Sequence, residues 1–290
     1  MLLETEALSK RYGSFTALDD LHLSVRQGEV FGLLGPNGSG KTTALRVLMG
    51  FLQPSSGWAR INGEDCWQQS ASIRRKVAYL PGELRLYENM TGRQLVTFLC
   101  QLRGHVAGQE VDKLARQLEI DLDRKLVRLS SGMKRKVALL QVLVAKVPLV
   151  ILDEPTNALD PTMREELLEQ IKQARHQGQT VLFSSHVMSE VEAVCDRVAI
   201  LRGGKLVHMQ DMTELRSGRM VYARFLKLPE QSTWPAGLNE YSRSGNSITW
   251  EYAGPLSPLC SWLGEQEIAE LQLEPLGLKS TYHRFHGAVT

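Results

Sequence analysis

The chain holds 290 residues with a formal net charge of +2, so composition gives no case for nucleic acid as the main partner. Its length suits one large domain plus a small one. Cys66, Cys100, Cys195 and Cys260 are widely spaced without a CxxC pair, which suits a reducing setting and offers no zinc or redox motif.

The opening MLLETEALSKRY carries acidic residues and no long apolar core, so it does not read as a signal peptide. LLETEALSKRYG and TALDDLHLSVRQGEV alternate and predict two half-buried strands joined by a turn around Gly13. VFGLLG is a continuous apolar run, as in a strand covered on both faces. TALRVLMGFL has helical spacing, PSSG is a turn, and WARINGEDC reads as a short strand with an Asn62-Gly63 turn. KVAYLP is another buried strand. From Thr91, a plausible N-cap, to about Arg128 the period is helical, which predicts an insertion between strands.

VALLQVLVAKVPLVIL is the longest apolar region. A spanning helix needs roughly 20 apolar residues, and this run holds Gln141, Lys146 and Pro148. It reads as a buried helix, a turn at Pro148 and a buried strand, so any membrane role requires a partner. REELLEQIKQARHQG is a helix closed by Gly178, TVLFSSH a strand, SEVEAVCDRV a helix and VAILRGGKLV a hairpin. Alternating strands and helices argue for a mainly parallel sheet. After about Arg216, RMVYARFLKL, SITWEYAG and EIAELQLEP read as strands, PLCSWLGEQ as a short helix, and WPAG and RSGN as loops.

Three stretches carry chemistry. GPNGSGKT fits G-x-x-x-x-G-K-[ST] between a strand and a helix. Its glycines let backbone N–H groups converge on phosphate oxygens, and the following helix adds its positive end. Gly35, Asn37, Gly38, Ser39, Gly40, Lys41, Thr42 and Thr43 are the candidate phosphate contacts. Lys41 would reach the β- and γ-phosphates, and the Thr42 hydroxyl would bind Mg²⁺. In LVILDE, Asp153 emerges at the end of a buried strand as a candidate Mg²⁺ ligand. Glu154 beside it could orient or deprotonate an attacking water. His186 ends the next strand, where ligands of open parallel sheets sit. His283 and His286 are spaced like metal ligands, but no partner motif accompanies them.

LSSGMKRK, Leu129 to Lys136, resembles the LSGGQ signature of the ATP-binding subunits of ABC transporters in its position between the helical insertion and LVILDE. Leu129, Ser130 and Gly132 match; Ser131 and Met133 depart from it. The resemblance covers roughly residues 1 to 215. It implies an α/β fold: a P-loop NTPase cassette with a mainly parallel central sheet, an N-terminal antiparallel β subdomain and a helical insertion; the strands and helix after about Arg216 add a small C-terminal α+β appendage outside the resemblance. The expected domains are a cassette over 1–216, with the insertion at about 83–130, and a small accessory domain over 217–290. Tyr12 falls where the family stacks an aromatic ring on adenine. Ser130, Ser131, Gly132 and Met133 fall where it holds the γ-phosphate of ATP bound to the opposite subunit. Asn157 to Asp160, NALD, resembles the loop between subunits, and His186 the switch histidine. The family places glutamine where this chain has Gly82 followed by Glu83, so Glu83 is the candidate replacement at the Mg²⁺.

The resemblance further implies ATP and Mg²⁺ as cofactors and a homodimer or pseudo-dimer of cassettes closing around two ATP molecules. It implies a separate integral membrane permease, peripheral placement at the cytoplasmic face of the membrane, and no nucleic acid partner. GELRLYENMT, between Gly82 and Thr91, is the expected docking segment. The single cassette resembles bacterial exporters whose permease is a separate polypeptide. The alternatives are an ABC-type ATPase acting on ribosomes or DNA, and a weakly catalytic ATP-binding regulatory module.

Overall fold

The computed structural model describes residues 1–104, 108–278 and 282. His283 and His286 lie outside these residues. The chain divides into two compact units, Met1–Met209 and Gln210–Thr290.

In the first unit, β1 (Leu3–Tyr12) and β2 (Phe15–Val25) form an antiparallel hairpin around Gly13. β3 (Val30–Leu34), the VFGLL run, is buried at every position and leads to α1 (Lys41–Leu48). β4 (Ser56–Ile61) and β5 (Glu64–Asp65) extend the hairpin into a sheet of order β2-β1-β4-β5. α2 (Ser70–Lys76) precedes β6 (Val77–Leu80). Sequence reading passed over α2, because Ile73 is its one buried residue and leaves no apolar period to detect.

The helical insertion contains α3 (Gly92–Leu102) and α4 (Gln109–Gln117). Thr91 starts α3 through a capping box: its Oγ1 accepts from Gln94 N–H at 3.2 Å, and Gln94 Oε1 accepts from Thr91 N–H at 2.9 Å. α5 (Ser131–Leu143) begins at Ser130, whose Oγ accepts from Met133 N–H at 3.3 Å. The apolar run then breaks before β7 (Leu149–Asp153). Among the described residues, no helix is long and apolar enough to cross a membrane.

α6 (Pro161–His176), β8 (Thr180–Ser185), α7 (Met188–Val194), β9 (Arg197–Arg202) and β10 (Lys205–Asp211) follow. The second sheet has the order β10-β9-β3-β8-β7-β6, and its pairings from β9 through β6 are parallel. β3, β7 and β8 lie fully buried side by side, as strands covered on both faces do. Their register sets Leu34 beside Ser185 and Asp153 beside Ser184. The carboxyl ends of three neighbouring strands therefore converge on one rim.

The second unit starts earlier than the sequence suggests, before α8 (Met212–Ser217), which buries Met212 and Leu215. β11 (Arg219–Phe225), β12 (Leu238–Ser244), β13 (Ser247–Tyr252), α9 (Leu256–Gly264) and β14 (Ile268–Pro275) complete it. Its sheet is antiparallel, in the order β12-β13-β11-β14. Trp250 is fully buried and meets Phe225, Trp234 and Trp262 edge to face, with centroids 5.3–6.0 Å apart. β12 escaped the sequence reading because all its residues after Leu238 are exposed, so it shows no alternation.

Cys66, Cys100 and Cys195 are buried, whereas Cys260 is exposed. Burial pushes the Cys66 thiol up to about 12, which leaves no reactive thiolate at neutral pH. Native protein treated with a maleimide should take up label at Cys260, with Cys66, Cys100 and Cys195 reacting only after denaturation. Peptide mass spectrometry reads the sites; rapid native labelling of Cys66 would contradict this packing.

Candidate active site

The loop between β3 and α1 is built on close approach. A Cβ at Gly35 would lie 2.4 Å from Leu201 O and 2.5 Å from Ser39 Oγ. Gly40 has φ +104°, and a Cβ there would lie 2.7 Å from Ala17 O. Neither position accepts a side chain without backbone displacement. Phe15, Ala17, Glu154 and residues Asn37 to Thr43 line a cavity of about 200 Å³ over this loop.

Lys41, at the first residue of α1, is 5% exposed. Its Nζ donates to Gly35 O at 2.7 Å and Pro36 O at 3.2 Å, and lies 3.1 Å from Glu154 Oε1. The other Glu154 oxygen, Oε2, lies 2.7 Å from His186 Nδ1. Lys41, Glu154 and His186 thus form a continuous polar chain from the start of α1 across the ends of β7 and β8.

Asp153 is fully buried at the end of β7. Its Oδ1 accepts from Thr42 Oγ1 at 3.2 Å and Ser184 Oγ at 2.8 Å. Its Oδ2 is buried with no hydrogen-bond partner. A hard divalent cation takes such oxygen donors, so Asp153 and Thr42 fit Mg²⁺. Glu154 sits in the left-handed region at φ +48°, unusual for a residue with a side chain. Its N–H donates to Ser184 Oγ at 2.9 Å and Ser184 O at 3.2 Å. Ser184 therefore fixes both acidic residues, one through its carboxylate and one through its backbone. Burial, with Asp153 adding to it, also raises the Tyr79 phenol.

Other expected site residues lie elsewhere in the unit. Tyr12 faces Phe15 across the β1–β2 pairing but does not line the cavity, and Lys10 Nζ lies 5.2 Å from its ring centroid. Ser130 and Ser131 are exposed at the start of α5, and Gly132 and Met133 are half-buried. None of these four lines the phosphate-loop cavity. Gly132 instead borders the NALD loop, where its Cβ would lie 3.4 Å from Ala158 O. Glu83 is exposed and takes no part in the hydrogen bonds joining Asp153, Thr42 and Ser184. A Cβ on Gly82, by contrast, would lie 3.4 Å from the unpartnered Asp153 Oδ2.

Sequence reasoning missed Phe15, Ala17, Ser184 and Arg135. Ser184 left a trace, since two serines follow the apolar run Val181 to Phe183. Arg135 left none, lying inside the basic stretch KRK.

A glycine-bend loop between a central buried strand and a helix, facing a buried carboxylate pair on a neighbouring strand, defines a P-loop NTPase cassette. The ABC transporter family model matches residues 18–157. The linearmycin resistance ATP-binding protein LnrL of Bacillus subtilis (strain 168) is 34% identical over 221 residues, covering 74% of this chain and 71% of the relative. The bacitracin transport ATP-binding protein BcrA of Bacillus licheniformis is 33% identical over 227 residues, covering 77% and 74%. A solved structure of an ATP-binding subunit of an ABC transporter superposes with a TM-score of 0.69 at 30% identity, covering 74% of this chain and 92% of that one. The chain belongs to the ABC transporter ATP-binding proteins: it is an ATP-binding cassette and an ATPase.

Phe15 borders the cavity over the phosphate loop, where the base of a bound nucleotide would meet it. Base–aromatic stacking is worth about 1–3 kcal/mol, so Phe15→Ala should weaken ATP binding about fivefold or more in calorimetry. An unchanged Kd would leave that contact to Tyr12.

Proposed function

We propose that this chain is the ATP-hydrolysing subunit of an exporter, driving a separate integral membrane permease from the cytoplasmic face of the membrane. The carrying observation is the Lys41–Glu154–His186 chain beside the Asp153, Thr42 and Ser184 cluster. The resistance and transport names of its relatives support the direction.

Gly35 to Thr43 hold the phosphates, with Lys41 offsetting their charge as it develops. Thr42 and Asp153 hold Mg²⁺, which when bound would neutralise phosphate charge. Glu154 accepts the proton of the attacking water, and His186, on the other carboxylate oxygen, orients it. Lys41 is shared between the loop carbonyls and Glu154. A triphosphate that draws Lys41 toward itself leaves Glu154 to His186 and water.

Ser130, Ser131, Gly132 and Met133 act on ATP held by a second cassette. The exposure of Ser130 and Ser131, and the position of all four away from their own chain's phosphate cavity, support this reading. Two copies, or this chain with a similar cassette, close over two ATP molecules and open after hydrolysis. ATP favours the closed state through contacts that only that state makes.

The permease docks beside the segment from Gly82 to Thr91. Tyr79, Pro81, Leu84, Leu86, Tyr87 and Leu99 border a cavity of about 200 Å³ between this segment and α3. Tyr87 is 62% exposed and meets Phe98 edge-on at 6.1 Å. Glu88 Oε1 lies 2.6 Å from Lys134 Nζ on α5, so a charge reversal there disturbs α5 as well as the docking face. The ribosome or DNA reading gains no support from the fold, and the buried carboxylate pair favours an active ATPase over a silent binder.

Glu154→Gln should retain ATP binding, lower turnover by about a hundredfold or more, and accumulate an ATP-dependent dimer in size-exclusion chromatography. Normal turnover would refute its role. Tyr87→Ala should cut co-purification with the permease while leaving basal ATP hydrolysis within twofold; unaltered assembly would move the docking site elsewhere.

A further inference from the structure

Arg135 lies in the second turn of α5 and is 4% exposed. Its guanidinium answers main-chain carbonyls on two separate loops. Nε donates to Pro155 O at 3.2 Å. Nη1 donates to Pro81 O at 3.0 Å and Gly82 O at 2.9 Å. Nη2 donates to Asp153 O at 3.1 Å and to Glu154 O. A planar fork with five N–H donors can meet this spread of acceptors; a lysine ammonium, with three donors from one point, cannot. Burial lowers the guanidinium's pKa, and the nearby Asp153 and Glu154 charges oppose that shift.

The acceptors identify what the fork fixes. Two of them, Asp153 O and Glu154 O, bracket the left-handed turn that aims Glu154 at Lys41 and His186. Two others belong to the loop leading into the docking segment, where Gly82 carries no side chain to reach Asp153. The same helix opens with Ser130 and Ser131. One buried cation therefore joins the docking loop, the acidic strand end and the start of α5.

We propose that Arg135 is a positioning residue for ATP hydrolysis: it holds the Glu154 backbone in its strained turn and transmits displacement of the Pro81–Gly82 loop to that carboxylate. This inference rests on the reading of Glu154 given above. Arg135 does not border the phosphate cavity, so its loss should separate catalysis from binding.

The test compares Arg135→Gln, Arg135→Lys, Glu154→Gln and the Arg135→Gln/Glu154→Gln double variant in the full chain. Turnover is expressed per correctly folded molecule, with ATP affinity from calorimetry. Arg135→Gln should lower kcat at least tenfold with the ATP Kd within twofold. Arg135→Lys should recover only part of that loss. The double variant should turn over no more slowly than Glu154→Gln, because Arg135 acts through Glu154. If Arg135→Gln does not fold, Arg135→Lys is judged by the same separation of kcat from Kd. Wild-type kcat in the folded Arg135 variants, an equal loss in affinity, or additive losses in the double variant would overturn this inference alone. Full turnover in Glu154→Gln would overturn the Glu154 reading and this inference with it.

Discussion

The structure depends on burying two consecutive carboxylates, Asp153 and Glu154, at the end of one strand. An uncompensated buried ion costs several kcal/mol, and here two adjoin. The surrounding chain answers each differently. Glu154 meets the Lys41 ammonium and the His186 ring, one on each oxygen. Asp153 takes two hydroxyls on Oδ1 and keeps Oδ2 unpartnered. Arg135 answers their main-chain carbonyls from behind. An apolar core could not tolerate this pair, so its presence marks the rim where charge handling outweighs packing.

That requirement explains the strand order. With β8 between β3 and β7, the phosphate loop and the acidic pair stand one strand apart, and Ser184 fills the gap. Parallel pairing places all three carboxyl ends at the same rim, the general position for ligands in open α/β sheets. The left-handed turn at Glu154 is tolerated because its N–H and C=O are both held, by Ser184 and Arg135.

The second unit is built on a different principle. Its core is an aromatic cluster centred on Trp250, covered by α9. Val221, Ile248, Leu259 and Leu263 fill the space around these rings.

The sequence by itself determined the phosphate loop, the acidic strand end, His186, the helical insertion and the mainly parallel sheet. Each of these signals is local: glycine spacing, an unbroken apolar run, a periodicity. Even the departure at Gly82 was legible, although its neighbour Glu83 turned to solvent and not to Asp153. Tertiary structure alone decided which polar residues serve the acidic pair. Ser184 matters because β8 pairs with β7 in one register, and Arg135 because α5 packs over two distant loops. It also decided that Phe15, and not Tyr12, borders the cavity, since that follows from the turn of the hairpin against the loop. α2 and β12 stayed hidden for the converse reason, as elements with one buried residue each carry no period to read. A sequence records what neighbours along the chain impose on one another; contacts spanning 18 or 31 positions, such as Arg135 to Asp153 and Ser184 to Asp153, exist only after the strands have paired.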